Sequence, residues 1–253
     1  FLKNSILSVF ASLVVGIGGY LIRRILANTL SVEDFADFYF LMAAATMLVV
    51  LFRFGTADML LFSMAGMEKT AENPKAWNLF SGVCRFNLYV FSGVSIICLL
   101  FSLFSTQRIV FCFLIPFFLL FAFEEIFNNA LNALKLFREQ YGLKCLKTLL
   151  MLALVCFCSS QWGLPGTIIA FNIPMVVTGV GAVICLWRIS SGFCFRKPEW
   201  NSLRSSWRSC LSLLFLSFNV MIFNELGTVM LTLFSMPSET AVFNIALPIA
   251  MII

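Results

Sequence analysis

Histidine is absent from this chain, charged residues make up only 11% of its 253 positions, and no CxxC pair occurs among its nine cysteines. Without histidine or a CxxC pair there is no zinc-ligand spacing, and no metal or other cofactor is expected. Most of the cysteines lie within apolar runs and read as packing residues. Cys156 and Cys158, two positions apart, would point to different faces of a helix. The scarcity of charge, set against 61% hydrophobic residues and a mean hydropathy of +0.98, excludes a soluble domain.

What the chain does have is long apolar runs. A spanning helix needs about 20 predominantly apolar residues, and seven such runs are legible: 6–26, 38–62, 81–104, 109–131, 145–162, 164–187 and 208–234, with an eighth beginning near Ala241. The eighth reaches Ile253 without a polar flank, and the chain opens on Phe1 rather than methionine, as expected of a piece of a longer protein. The first run is full length, lacks a small-residue cleavage pattern and is followed by further spans. It reads as the first helix, not a signal peptide. The expected class is all-α, a polytopic membrane helix bundle in the cell membrane.

The basic residues set the expected orientation, because short cytoplasmic loops are enriched in lysine and arginine. With a cytoplasmic N-terminus, Lys3, Arg53, Lys69, Lys75, Arg85, the group from Lys135 to Lys147 and the group from Arg188 to Arg208 all fall inside. Only Arg23, Arg24 and Arg108 fall outside. The net charge of +5 is therefore a topology signal, and no nucleic-acid partner is expected.

Between the runs, Ser63 to Phe80 and Leu134 to Lys147 read as polar cytoplasmic loops, and Ser159 to Gly166 as a tight outer turn. The connection from Arg188 to Arg208 interleaves Phe193, Phe195, Trp200 and Trp207 with Arg196, Lys197 and Arg204, the composition of a segment lying on an anionic lipid surface. The chain thus divides into a six-helix N-terminal lobe (1–187), a cytoplasmic interfacial linker (188–208) and the start of a C-terminal lobe (209–253). A transporter built from two repeats has this form.

Six charged side chains lie inside or at the ends of the apolar runs: Arg23, Arg24, Arg53, Glu124, Glu125 and Glu225. A charge near the bilayer centre costs roughly 2.5–3.5 kcal/mol, so such groups usually face a watery cavity or one another. Neighbouring helical positions point about 100° apart. At most one of Arg23 and Arg24 can face a cavity squarely; the other snorkels. Glu124, Asn128 and Asn132 stand at i, i+4 and i+8 and form one polar stripe expected to face the lobe interior. There they could hydrogen-bond a polar ligand, counter the arginines or hold helices together; Asn129 reads as interhelical glue. Gly16, Gly18 and Gly19 read as close helix packing and Pro174 as a kink.

The first hairpin carries Leu21-Ile22-Arg23-Arg24-Ile25-Leu26-Ala27 and then Leu30-Ser31-Val32-Glu33-Asp34-Phe35-Ala36. This resembles the opening of polysaccharide and O-antigen flippases of the multidrug/oligosaccharidyl-lipid/polysaccharide exporter superfamily, with Ala36 in place of the usual glycine. Phe52-Arg53-Phe54-Gly55-Thr56-Ala57-Asp58 is similar to that family's apolar-x-glycine stretch closing the second helix, and Gly163-Leu164-Pro165-Gly166 to its glycine-x-x-glycine turn. The resemblance covers nearly the whole chain and implies a MATE-like fold of twelve or more helices in two lobes around a central cavity.

The resemblance also implies the cargo, a polyprenyl-pyrophosphate-linked oligosaccharide moved by alternating access. Membrane lipids and polysaccharide polymerase or assembly proteins are its implied partners. It assigns Arg23 or Arg24, with Arg53, to the pyrophosphate, a role that suits arginine because its planar fork binds phosphate oxygens in pairs. In sodium-coupled members an acidic residue on the seventh helix joins a cation site, which makes Glu225, beside Asn224, the ion-coupling candidate.

Two other readings stand beside this one. A multidrug extruder of the same fold would want an acidic cavity for cationic drugs, whereas the first lobe offers arginines. A membrane enzyme acting on lipid-linked sugars would want a catalytic carboxylate cluster or histidine in a sizeable loop, and every loop here is short.

Overall fold

The computed structural model describes residues 2–67, 73–104, 108–189, 207–234 and 237–252, and their side chains apart from those of 2–4, 101–104, 108–114, 224 and 248–252. Among the described residues there is no strand. The helices are α1 (Leu2–Thr29), α2 (Val32–Arg53), α3 (Thr56–Ala65), α4 (Pro74–Phe104), α5 (Arg108–Ala133), α6 (Phe137–Ile189), α7 (Trp207–Phe234) and α8 (Pro237–Ile252). Four pass a length-and-composition test for crossing a membrane, and a fifth does when α7, bent between Phe223 and Glu225, counts as one span. Large apolar side chains cover the outside, among them Phe10 (61% exposed), Trp187 (68%) and Phe223 (88%). Such a surface suits hydrocarbon rather than water. The protein is a multi-pass membrane helix bundle.

Local chemistry explains each joint. Ser31 caps α2: its Oγ accepts from the Asp34 amide at 3.1 Å and donates to the Asp34 carboxylate at 2.8 Å. Glu33 and Asp34 then sit in the first turn, where the helix dipole favours anions. The leucine-serine-x-acidic-acidic pattern is thus a helix start. At the far end of α5, the Leu136 amide bonds the Leu131 carbonyl and the Lys135 amide bonds the Asn132 carbonyl. Lys135 takes the left-handed conformation (φ 59°) in this six-to-one closure.

One expected run changes shape, and two others join end to end. The run at 38–62 is not one helix: it breaks at Phe54 (φ 52°) and Gly55 (φ 67°), both left-handed, and resumes as α3. Gly55 is doubly required, because a Cβ there would collide with the Cys210 carbonyl and would sit 2.7 Å from the Leu214 amide. The backbone of α7 passes directly over the break. The runs at 145–162 and 164–187 are the limbs of α6, which folds back at Gly163 (φ 58°, ψ −134°). A Cβ on Gly166 would strike the Cys158 carbonyl, so the second glycine lets the limbs approach.

The loop expected at Leu134 to Lys147 is also shorter than expected. Helix resumes at Phe137, one residue after the closure, so Lys144 and Lys147 are helical residues. The connection from 190 to 206 and the loop residues 68–72 lie outside the described residues. Close packing at the first glycine cluster holds for Gly18, which abuts Thr148; Gly16 and Gly19 face open space. Cys156 is exposed and Cys158 buried, on different faces as expected.

In cross-section, α1, α6, α5 and α2 form a ring, α4 lies outside α5, α7 lies along α2 and α3, and α8 crosses the seam between α1 and α2. Helix α2 is therefore a partition, with the interior of the ring on one side and the α7 interface on the other.

Candidate functional site

Each side of the partition holds a cavity with its own charges. The central cavity, about 420 Å³, lies between α2, α3 and α5 on one side and α7 on the other. Its charged lining is Arg53, Asp58, Glu125 and Glu225. The lobe cavity, about 480 Å³, lies inside the ring and holds Glu124, Lys144 and Lys147. Thr46 and Phe121 line both, so the wall between them is one side chain thick there.

Arg53 is the most buried charge among the described residues, 1% exposed, in the last turn of α2. Its Nη1 donates to the Glu125 carboxylate, and its Nη2 lies 3.8 Å from an Asp58 oxygen in the first turn of α3. The helix break makes this triad possible, because it brings the first turn of α3 to the Arg53 guanidinium. Asp58 also accepts from the Ser217 hydroxyl of α7 at 2.6 Å and from the Asn129 amide at 3.4 Å. Asn87, buried on α4, donates to Thr56, whose hydroxyl bonds the Arg53 carbonyl. The turn is therefore held from three helices. One donor is left over: the Arg53 Nε–H is buried and makes no hydrogen bond among the described residues. A buried guanidinium edge without an acceptor is costly and favours an anionic guest.

Adjacent on α5, Glu124 and Glu125 enter different cavities, as a 100° step requires. Both Glu124 oxygens accept from the Lys147 ammonium, at 2.7 and 2.8 Å. Asn128 shares a small void with Glu124, Leu143 and Lys144 between α5 and α6. Asn132 is half-buried at the closing turn, so the polar stripe runs from the lobe cavity toward one end of the bundle. Asn129 bonds across to α3, as its reading for helix association expects.

Arg23 and Arg24 separate, Arg23 turning inward and Arg24 outward to an exposed position. The Arg23 guanidinium donates to the Asn244 carbonyl of α8 at 2.8 Å and sits over the Tyr39 ring, 5.3 Å from its centre. Glu225 lines the central cavity and makes no hydrogen bond or salt bridge among the described residues. The Asn224 side chain lies outside them. No group of three metal-binding side chains is assembled among the described residues, so the carboxylates of the central cavity do not form a metal cage.

Sequence reasoning passed over Asp58 and Lys147 and gave Glu125 little weight. Asp58 sits three residues past the glycine of a helix break, and that spacing was its only available signal. Lys147 was hidden in an expected loop. The arginine-rich picture of the first lobe changes accordingly: Arg53 faces three carboxylates in the central cavity, and the lobe cavity carries two lysines against one glutamate.

Residues 1–253 match a family model described as polysaccharide biosynthesis protein. No curated protein and no solved structure matches the chain.

Proposed function

Because the chain belongs to the polysaccharide biosynthesis protein family, the family of the polysaccharide and O-antigen flippases and a family of membrane transporters for polysaccharide and lipid-linked sugar, we propose that it translocates a polyprenyl-pyrophosphate-linked oligosaccharide by alternating access. No bond is made or broken. The anionic, hydrated head crosses the hydrocarbon region inside the protein while the isoprenoid tail stays in lipid. The observation that carries this reading is Arg53, which lines the central cavity and whose buried Nε–H has no acceptor among the described residues. A phosphate can take Nε and one Nη together, the bidentate geometry that makes arginine a phosphate ligand.

In this mechanism Glu125 holds Arg53 when no cargo is bound, so the guanidinium never faces the membrane interior without a counter-charge. Diphosphate displaces that carboxylate. Arg24 supplies further positive charge at the opposite end of the first hairpin, Arg23 being engaged by the Asn244 carbonyl, and Glu124, Asn128 and Asn132 offer polar contacts to the sugars from the lobe side. Glu225 and Asn224 on α7 are the coupling pair, Glu225 being a carboxylate that lines the central cavity.

A second reading, extrusion of cationic drugs, draws on the three carboxylates of the central cavity. Reconstituted vesicles separate the two. The protein moves a fluorescent polyprenyl-pyrophosphate oligosaccharide between leaflets and Arg53→Ala stops it. Efflux of a lipophilic cation with no movement of the oligosaccharide lipid overturns the proposal.

A further inference from the structure

Asn244 lies in α8 four residues before Pro248, and proline has no amide hydrogen. The Asn244 carbonyl therefore lacks the partner that the next helical turn would supply. Arg23 takes that place, with its Nη1 2.8 Å from the carbonyl oxygen. The rest of Asn244 is tied as well: its Oδ1 accepts from the Thr228 hydroxyl of α7 at 3.1 Å, and its amide donates to the Thr240 carbonyl at 2.9 Å. Asn244, Thr228 and Thr240 are all at most 2% exposed. One buried residue thus fastens α1 to both α7 and α8.

A second fastening stands at the other end of the central cavity, where Ser217 of α7 donates to Asp58 beside Arg53. Ser217 and Thr228 are eleven residues apart, about 16 Å along the helix path, and cavity-lining Val220, Met221 and Glu225 lie between them. We infer that these are the two gates of the central cavity and that they differ in kind. The Asp58–Ser217 gate shares its carboxylate with Arg53, so it responds to any charge the guanidinium takes up. The Arg23–Asn244 gate is built on a carbonyl liberated by Pro248 and is independent of the cargo's charge. Arg23 is then a positioning residue between helices, acting through α8. The inference rests on the transporter reading only in supposing that the cavity opens to alternate sides.

The test uses the intact protein in membranes, with Met221→Cys, at a cavity-lining position only 5% exposed, as the sole cysteine and a membrane-impermeant thiol reagent added to either side. Pro248→Ala restores an amide that closes the Asn244 carbonyl inside α8 and leaves every charge in place. It is expected to raise labelling about tenfold, the factor one charge-assisted hydrogen bond is worth, from the side where α1 ends, with no change from the other. Arg23→Ala gives the same result and Arg23→Lys, which keeps a donor, a smaller one. Ser217→Ala raises labelling from the opposite side. Unchanged labelling in Pro248→Ala, or a rise from the wrong side, overturns the inference. Because labelling is read without cargo, the gate assignment can fail or survive apart from oligosaccharide transport.

Discussion

Replacing Arg53 by methionine keeps most of the side-chain stem and removes the charge, so the loss reports the ion triad rather than a void. Removing one partner of a fully buried pair costs about 3–5 kcal/mol. Here the stranded groups are only partly buried, the Glu125 side chain at 36% exposure and Asp58 at 23%, and Asp58 keeps its bonds from Ser217 and Asn129. The cost of Arg53→Met should therefore fall to about 2–3 kcal/mol. At 2–4 °C per kcal/mol for a chain of this size, the melting temperature should drop by about 4–12 °C. Adding Glu125→Gln removes the unpaired charge and should recover more than half of the loss. Transport should stay absent in both variants, since neither has a phosphate ligand. Thermal melts of the purified protein, with transport measured in parallel vesicles, decide it. A single variant as stable as wild type would refute the triad. A double variant that transports normally would refute the phosphate role.

The lobe cavity gives a parallel cycle. Lys147→Met strands Glu124, whose side chain is 15% exposed, and should cost about 2–3 kcal/mol, with Glu124→Gln restoring most of it; additive effects in the thermal melts would argue against a coupled pair. The two positive-φ glycines should separate by mechanism. Gly163→Ala meets open space and should cost only the backbone term, about 1–3 kcal/mol. Gly55→Ala adds a collision with the α7 backbone and should be the more destabilising of the two in the same melts.

Much of the bundle was legible because hydrocarbon imposes length and composition on every span. The break inside 38–62 was not, since Phe54-Gly55-Thr56-Ala57 stays apolar or small and hydropathy is indifferent to backbone sign. That break brings Asp58 to Arg53, so missing it meant missing the triad. Glu124 and Glu125 illustrate a second limit: the i, i+4, i+8 stripe favoured Glu124, but a helix flanked by two cavities gives both neighbours an interior to face. The start of α6 turned on a closing turn with lysine, not glycine, in the left-handed position, which disguised Lys147 as a loop residue. Arg23 and Arg24 were correctly expected to diverge from helix geometry alone. Which of them turns inward was not legible, since the acceptor of Arg23, the Asn244 carbonyl of α8, lies 221 positions away.

The proposed transport depends on Arg53 receiving the diphosphate of a lipid-linked sugar. Its most direct test is a binding titration of the purified protein with a short-chain prenyl diphosphate and the matching prenyl alcohol, in wild type and Arg53→Ala. Wild type should prefer the diphosphate and Arg53→Ala should lose about 10–100-fold of that affinity, the worth of one desolvated charge-assisted contact, with binding of the alcohol unchanged. Equal affinity of the two proteins for the diphosphate would contradict it.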